Sequence, residues 1–489
     1  MHPYVFLTPL TLGTLGTLAH FRHSCSMSND EHRDTIAAVA TPIGQAGIGI
    51  VRLSGSRARE IAEKIFRPKS PAKPLRSHHL YLGYLIDPSS EQIVDEVLLS
   101  LMKAPHSYTR EDVVEINAHS GYLLLSTILQ IVLAEGARLA KPGEFTFRAF
   151  INGRIDLTQA EAIVDLINSK SERGLQLASE QIRGEFRAEI EGLRKKAVEI
   201  LAHTEVAIDF PEEEYGDISR EEVAQRIDTD LIEPIDDIVA AHAQRKIWMD
   251  GINTVIVGRV NAGKSSLLNR LLNEPRAIVT PIPGTTRDII ESTINIEGIP
   301  IRLMDTAGFR KVKGEVEKIG IHLTEKRLAS ADLSLIVVDQ SRPLNQDDLR
   351  ILAKAEKDKS LVLFNKIDLA SKINDNELHD VLDGMRVVKI SALTGEGIDG
   401  LRKAIRDHVI TADVDLSSSH VAPNLRHRTA LVDALKYFSD ASENMRKALP
   451  LEVIALDLKS GLEALGEIIG ETTNEEVLDR VFSEFCLGK

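Results

Sequence analysis

Gly258-Arg259-Val260-Asn261-Ala262-Gly263-Lys264-Ser265 follows the apolar run Ile252–Val257 and precedes an apolar-periodic segment, so it sits where a strand passes into a helix. That is the setting a phosphate-binding loop requires. Glycines let backbone N–H groups converge on an anion, and the helix N-terminus adds a positive field. Lys264 is placed to reach the terminal phosphates, and the Ser265 hydroxyl to sit on Mg²⁺, with Ala262, Gly263 and Ser266 completing the loop. Alone, the pattern is weak. With glycine at about 7% of residues, a chain of this length matches it by chance roughly once in fifty.

Further motifs follow in a fixed order. Thr280-Pro281-Ile282-Pro283 leads into Gly284-Thr285-Thr286-Arg287-Asp288, a proline-flanked loop suited to a mobile switch. Thr286 can offer a second hydroxyl to Mg²⁺, and Arg287 is a candidate catalytic residue. The strand Ile301–Met304 runs into Asp305-Thr306-Ala307-Gly308, where a carboxylate can orient the magnesium shell and a glycine N–H can feel a γ-phosphate. The strand Leu361–Phe364 ends in Asn365-Lys366-Ile367-Asp368. Asp368 can accept from guanine's N1–H and N2 amino group. Adenine lacks both donors and would leave the carboxylate buried and unpaired, and sites of that kind discriminate by roughly 10⁴-fold or more. Ser391-Ala392-Leu393, after the strand Val387–Ile390, supplies a backbone contact to the base. Each tetrapeptide alone is also an ordinary turn. Five in order, each at a strand end, predict GTP binding.

Composition bounds the rest. At 489 residues the chain is too long for one core, and about three domains are expected. Aromatics are only 4%, which favours helices and α/β units. The two cysteines, Cys25 and Cys486, cannot build a disulfide framework, so a reducing cytoplasm is expected. No apolar run approaches membrane-spanning length, so no membrane association is expected. Residues 1–31 read as an extension, either disordered or a start assigned too early, with Met27 a plausible true start. A net charge of −14 argues against general nucleic-acid binding. Between Arg57 and His79 seven Lys or Arg face only Glu60 and Glu63; this reads as a solvated helix and loop in preference to an RNA contact.

Residues 32–153 mix the β-branched runs Thr35–Ala40, Ile48–Leu53, Val94–Leu101 and Val113–Ile116 with glycine and proline turns, an α+β pattern. From Leu157 a helical period begins, with Thr158-Gln159-Ala160-Glu161 as its capping box. Helical character continues to about Ala207, and again over Glu221–Trp248, giving a first helical part at 154–249. Residues 250–412 alternate strands and helices, implying a doubly wound sheet. Residues 413–489 return to helices, over Arg426–Ala448, Glu452–Ile469 and Glu475–Phe485. The expected fold is mixed α/β and α, multidomain, with a nucleotide-binding domain inserted into a helical one.

Phe309 follows the Asp305–Gly308 motif, where Ras-like enzymes place a water-orienting glutamine. Hydrolysis then needs another water-positioning group and another positive charge, and Asn261 could help ligate a cation that supplies it. The chain ends in Phe485-Cys486-Leu487-Gly488-Lys489, a poor prenylation box because Gly and Lys occupy its last two positions. A buried helix-end cysteine is the plain alternative.

With this terminus behind a GTPase domain, the chain resembles the MnmE (TrmE) family of tRNA-modification GTPases, from Asp34 to Lys489. The resemblance includes Thr41-Pro42, Gly47–Gly55, Glu111-Asp112-Val113-Val114-Glu115 and Lys141-Pro142-Gly143-Glu144-Phe145. It also includes Arg148-Ala149-Phe150, Asp156–Ala162 and Asp209-Phe210-Pro211-Glu212-Glu213. It implies a folate-binding N-terminal domain, a helical domain, an inserted G domain and a homodimer. It further implies an MnmG/GidA-type FAD-dependent flavoprotein partner, in a heterotetramer or larger. With that partner a (carboxymethyl)aminomethyl group is added to C5 of the wobble uridine of certain tRNAs from a one-carbon tetrahydrofolate. By position, Asn261, Thr280, Ile282 and Thr285 would hold K⁺, and Ser265 and Thr286 Mg²⁺. Glu317 would order the hydrolytic water; Arg52, Glu115, Arg154 and Lys489 would bind folate; and Cys486 is a candidate for the modification chemistry. Three departures stand out: Val260 for Pro, His119-Ser120-Gly121 for His-Gly-Gly, and Arg154 for Lys, whose wider fork puts that folate contact in doubt. The alternative is a ribosome-assembly GTPase of the Era or Der type. Der would need a second G domain, and Era an RNA-binding module where helices are expected after Ile410. A third reading is a GTP-gated switch with negligible turnover.

Overall fold

Strand alternation builds the first unit: Val97, Leu99 and Leu101 are buried, while Glu96 and Leu98 between them face outward. The computed structural model describes residues 34–42, 44, 46–70, 74–209, 219–272, 292–304, 331–373, 382, 384–410, 422–486 and 488–489. Two units separate. The first comprises the described residues within Met1–Val164, Gln181–Ile232 and Ala430–Lys489; the second comprises those within Asp165–Glu180 and Glu233–Thr429. The nucleotide-binding segment is thus inserted in sequence, as expected, and the helix Glu233–Met249 groups with it.

The first unit holds strands β1 (Ile36–Val39), β2 (Gly49–Ser54), β3 (Phe66–Pro68), β4 (His79–Ile86), β5 (Ile93–Met102), β6 (Val113–Ala118) and β7 (Arg138–Leu139). They form one sheet in the order β3-β4-β5-β6-β2-β1-β7, antiparallel except for the β1–β7 pair. The helices Ala58–Ile65 and Tyr122–Ala134 bury Ile61, Ala62, Ile65 and Leu125, Ile128, Val132 against Val51, Leu53, Leu99 and Ile116 on one face. On the other face the helix Glu144–Ile151 seats Phe145 against Ile36, Ala38 and Ala140. That helix is fixed by Arg148, only 2% exposed, which binds Asp34, Glu111 and Glu144. A guanidinium can be buried here because three carboxylates share its donors.

Strand β4 escaped the sequence reading: Leu80 and Leu82 stand exposed on its outer side, so no polar alternation marks it. The capping box at the helix Leu157–Asn168 is also corrected. Asp156 caps it, accepting from the Gln159 N–H at 3.0 Å while Gln159 Oε1 accepts from the Asp156 N–H at 3.0 Å. Thr158 donates to Asp156 Oδ1 from within the first turn. The helical stretch to Ala207 is three helices, Leu157–Asn168, Glu172–Ile182 and Glu185–Asp209, with left-handed Gly184 breaking the last two. Over Glu221–Trp248 the helix widens at Asp228–Ile232, just ahead of Pro234, which has no N–H to continue the ladder. In the C-terminal segment, Leu451–Ile469 packs along Glu185–Asp209. Glu475–Ser483 sets Phe482 edge-on to Phe147 at 5.2 Å and stacks it on Phe485 at 5.7 Å. Truncating so buried an aromatic removes about 3 kcal/mol.

The second unit has strands β8 (Ile252–Val257), β9 (Ser292–Ile296), β10 (Ile299–Leu303), β11 (Leu333–Asp339), β12 (Ser360–Asn365) and β13 (Arg386–Ile390). Their order is β13-β12-β11-β8-β10-β9, parallel except at β9. Every residue of β11 and β12 is buried, as central parallel strands covered on both faces require. Among the described residues no helix is long and apolar enough to cross a membrane.

Candidate functional site

Three of the predicted nucleotide-binding segments leave the carboxyl ends of β8, β12 and β13, where ligands of open α/β sheets bind. Between β8 and the helix Lys264–Leu272 the loop closes around small residues. A Cβ on Gly258 would lie 2.2 Å from the Val337 carbonyl oxygen, and one on Gly263 2.0 Å from Asn365 Nδ2. Both glycines and Asn261 have positive φ, which turns the loop's N–H groups inward. Lys264 donates to the Gly258 and Arg259 carbonyls at 2.7 Å each, and burial lowers its pKa. Ser265 and Ser266 stand exposed at the helix start.

Asn365 ties the phosphate loop to the Ser391–Leu393 segment, donating to the Ala262 carbonyl at 2.8 Å and accepting from the Ala392 N–H at 2.9 Å. Ser391 donates to Asp368 Oδ1 at 2.5 Å and orients that carboxylate. Leu393 is exposed. Lys366, itself at positive φ, donates to Asp339 at 2.6 Å. Burial pushes the Asp339 carboxyl up, but Lys366 and Ser341 outweigh it and hold it below the usual range. Arg259 reaches the buried Asp348 at 3.2 Å, and burial raises that carboxyl. Sequence reasoning gave no role to Asp339 or to Arg259, whose partners come from other segments of the chain. Thr280, Pro281, Ile282, Pro283, Gly284, Thr285, Thr286, Arg287, Asp305, Thr306, Ala307, Gly308 and Glu317 lie outside the described residues.

The second constellation lies on the first unit's sheet. Arg52 of β2 and Glu115 of β6 are directly opposite in register, and Arg52 donates to Glu115 Oε1 at 2.8 Å. The chain's tail returns to the same place. Gly488, at φ 90°, lies so close to β1 that a Cβ would meet the Val39 oxygen at 2.5 Å, and its carbonyl accepts from Arg52 at 3.2 Å. Lys489 is half-buried, and burial and the Arg52 charge lower its pKa. Cys486 is a free, exposed thiol, not a buried helix-end cysteine: Phe482 and Phe485 take the buried positions around it. The Arg52 guanidinium lies 5.7 Å from the ring centres of both Tyr108 and Phe145, and that of Arg154 4.7 Å from Tyr108. Arg52, Glu115, Arg154 and Lys489 therefore share one neighbourhood. Tyr108 and Phe145 were missed there, and only the folded register reveals them. In the basic stretch, Arg57, Arg59, Lys64 and Lys69 are paired with Glu60, Glu63, Glu135 and Glu96, as a solvated surface would be.

A parallel sheet, a glycine-lined phosphate loop and an Asn-Lys-x-Asp segment stapled to it by Asn365 define a P-loop nucleotide-binding module of the G-domain class. The family described as GTP-binding protein TrmE N-terminus matches residues 35–154, and the MnmE helical domain matches 157–486. The tRNA modification GTPase MnmE of Acetivibrio thermocellus is 44% identical over 456 residues, covering 93% of this chain and 99% of the relative. That of Geobacillus kaustophilus is 45% identical over 462 residues, covering 93% and 99%. That of Bacillus subtilis is 44% identical over 462 residues, covering 93% and 100%. Among solved structures, the G domain of the T. maritima FeoB iron transporter is 30% identical over 32% of this chain and 99% of its own, with a TM-score of 0.25. The chain belongs to the MnmE family of tRNA modification GTPases.

Proposed function

We propose that this chain hydrolyses GTP to GDP and phosphate and couples that turnover to modification of the wobble uridine of certain tRNAs. Family membership over nearly the whole chain is the observation that carries the reading. The unit's Asn365–Ala262 and Ser391–Asp368 bonds support guanine recognition, since they hold the Asp368 carboxylate beside the phosphate loop. Mg²⁺ would be held by Ser265 and Thr286, and K⁺ by Asn261, Thr280, Ile282 and Thr285, with Glu317 ordering the water and Arg287 acting in the switch loop. The domain limits proposed are 32–153, 154–249, 250–412 and 413–489. The helices Leu425–Arg446 and Leu451–Ile469 directly after the G domain do not favour an Era-type module.

On the sheet, Arg52, Glu115, Arg154 and Lys489 would hold a one-carbon tetrahydrofolate. The donor set fits: Glu115 Oε1 takes both Arg52 contacts, and a carboxylate suits a pterin's amino donors, while the cations suit a glutamate tail. When bound, the folate would supply the carbon added at C5. Cys486, exposed and two residues before Gly488, would take part in the chemistry at that site. A homodimer is supported by the apolar outer face of the same sheet, where Leu82 and Leu98 are cross-strand neighbours with Leu80 beside them, all exposed. The partner would be an FAD-dependent flavoprotein, and the setting cytoplasmic. Nucleoside analysis of tRNA from cells lacking the gene tests the proposal. Loss of the C5-substituted wobble uridine is expected, and an unchanged nucleoside profile would overturn it.

A further inference from the structure

We infer that Tyr108 sets the spacing of the Arg52 and Arg154 guanidiniums and thereby selects a ligand with an anionic tail, an inference that rests on the folate reading of this surface. The two cations differ. Arg52 is held from four sides: by Glu115, by the Gly488 carbonyl and by the rings of Tyr108 and Phe145. Arg154 is exposed, and among the described residues it has no carboxylate within ion-pair distance. Its guanidinium instead lies 4.7 Å from the Tyr108 ring centre. A ring face attracts a cation without neutralising it, so the charge stays available to a ligand.

The ring can serve as a spacer because it is itself immobile. The Tyr108 hydroxyl is hydrogen-bonded to Thr146 Oγ1 at 2.9 Å, and Thr146 is fully buried on the helix that carries Phe145. The ring also packs on the cluster of Ile36, Ala38, Ala140 and Phe145. One rigid aromatic thus carries two guanidiniums, one already paired with a carboxylate and one free. Glu115 suits the donor-rich heterocycle of a folate, and the unneutralised Arg154 suits its distant carboxylates. Tyr108 is then a positioning residue for tail recognition and makes no demand on the pterin end.

The test measures equilibrium binding of 5-formyltetrahydrofolate, and of a reduced pterin lacking the glutamate tail, to the full-length protein. For Tyr108→Leu, folate binding should weaken about five- to tenfold while pterin binding stays within about twofold. Tyr108→Phe keeps the ring but loses the Thr146 hydrogen bond that immobilises it, so it should show the same tail-selective loss as Tyr108→Leu, only smaller. Arg154→Met, a change at an exposed side chain that does not threaten folding, should show the same tail-selective loss. The double variant should lose less than the product of the two single factors, because the residues act through one contact. Equal loss of both ligands, losses that multiply, or undiminished folate binding in either Tyr108→Leu or Arg154→Met would each overturn the inference. A parent protein that binds neither ligand would overturn the folate reading, and the inference with it.

Discussion

Among the described residues of the nucleotide-binding unit, the candidate ligand groups arrive in short contiguous runs at the carboxyl ends of β8, β12 and β13. On the other unit's sheet, Arg52, Tyr108, Glu115, Phe145 and Gly488 come from five separate segments that only strand register and a returning tail bring together. A loop closing on a phosphate is dictated by neighbours in sequence, because backbone N–H groups and a helix start do the binding. A surface built across strands is dictated by pairing, and a slip of one residue would turn Arg52 to the opposite face.

If base recognition really is local to its loop, Asp368→Asn should change specificity and little else. The new amide donor would face guanine's own donors but suit the C2 carbonyl of xanthine, so preference should swing from GTP toward XTP by about 10⁴-fold. Competition binding reads this directly, and undiminished GTP preference would break the assignment. Next in size is Arg148→Met, which probes the dispersed site's framework. It leaves Asp34, Glu111 and Glu144 without their shared cation and should destabilise the first unit by about 3 kcal/mol in urea unfolding.

The same cluster fixes a pH dependence. Burial raises the Asp34 and Glu144 carboxyls, but Arg138 and Arg148 outweigh it and leave both below their ordinary values. Their contribution is then fully present above the ordinary carboxylate range and fades as pH falls through the lowered values. Acid titration of the Arg148→Met protein should show unfolding beginning at higher pH than in the parent; coincident curves would show that the cluster is not the source.

How legible each site was follows from that contrast. The segments Gly258–Ser265, Asn365–Asp368 and Ser391–Leu393 could be read as they stand, and the structure puts them at the carboxyl ends of β8, β12 and β13 of one sheet. Asp339 could not, since a carboxylate closing an apolar strand gains meaning only when Lys366 lies 2.6 Å away. Arg52 and Glu115 were reached through family resemblance, not spacing, and Tyr108 not at all, because a lone tyrosine in a loop carries no periodic signal. β4 was hidden by Leu80 and Leu82, whose exposed outer face breaks the rule that alternation reports burial.

Smaller effects sharpen the separation. Asn261→Ala should lower turnover about a hundredfold while largely sparing GTP affinity, because the loop amides and Asp368 remain. In parallel, hydrolysis in KCl should exceed that in NaCl at equal ionic strength; equal rates would remove the cation from the scheme. Glu115→Gln should weaken reduced-folate binding about tenfold and leave GTP turnover within about twofold. A loss in both would show that the two sites are not separable in this way.

The most direct test removes Cys486–Lys489, the segment that carries the thiol, the Gly488 contact with Arg52, and Lys489. Phe482 and Phe485, which anchor the terminal helix, are left in place. Expressed in a strain lacking the gene, the shortened protein should hydrolyse GTP at close to the parental rate yet leave the wobble uridine unmodified. Normal wobble-uridine modification by the shortened protein would contradict both the folate role of Lys489 and any chemical role of Cys486.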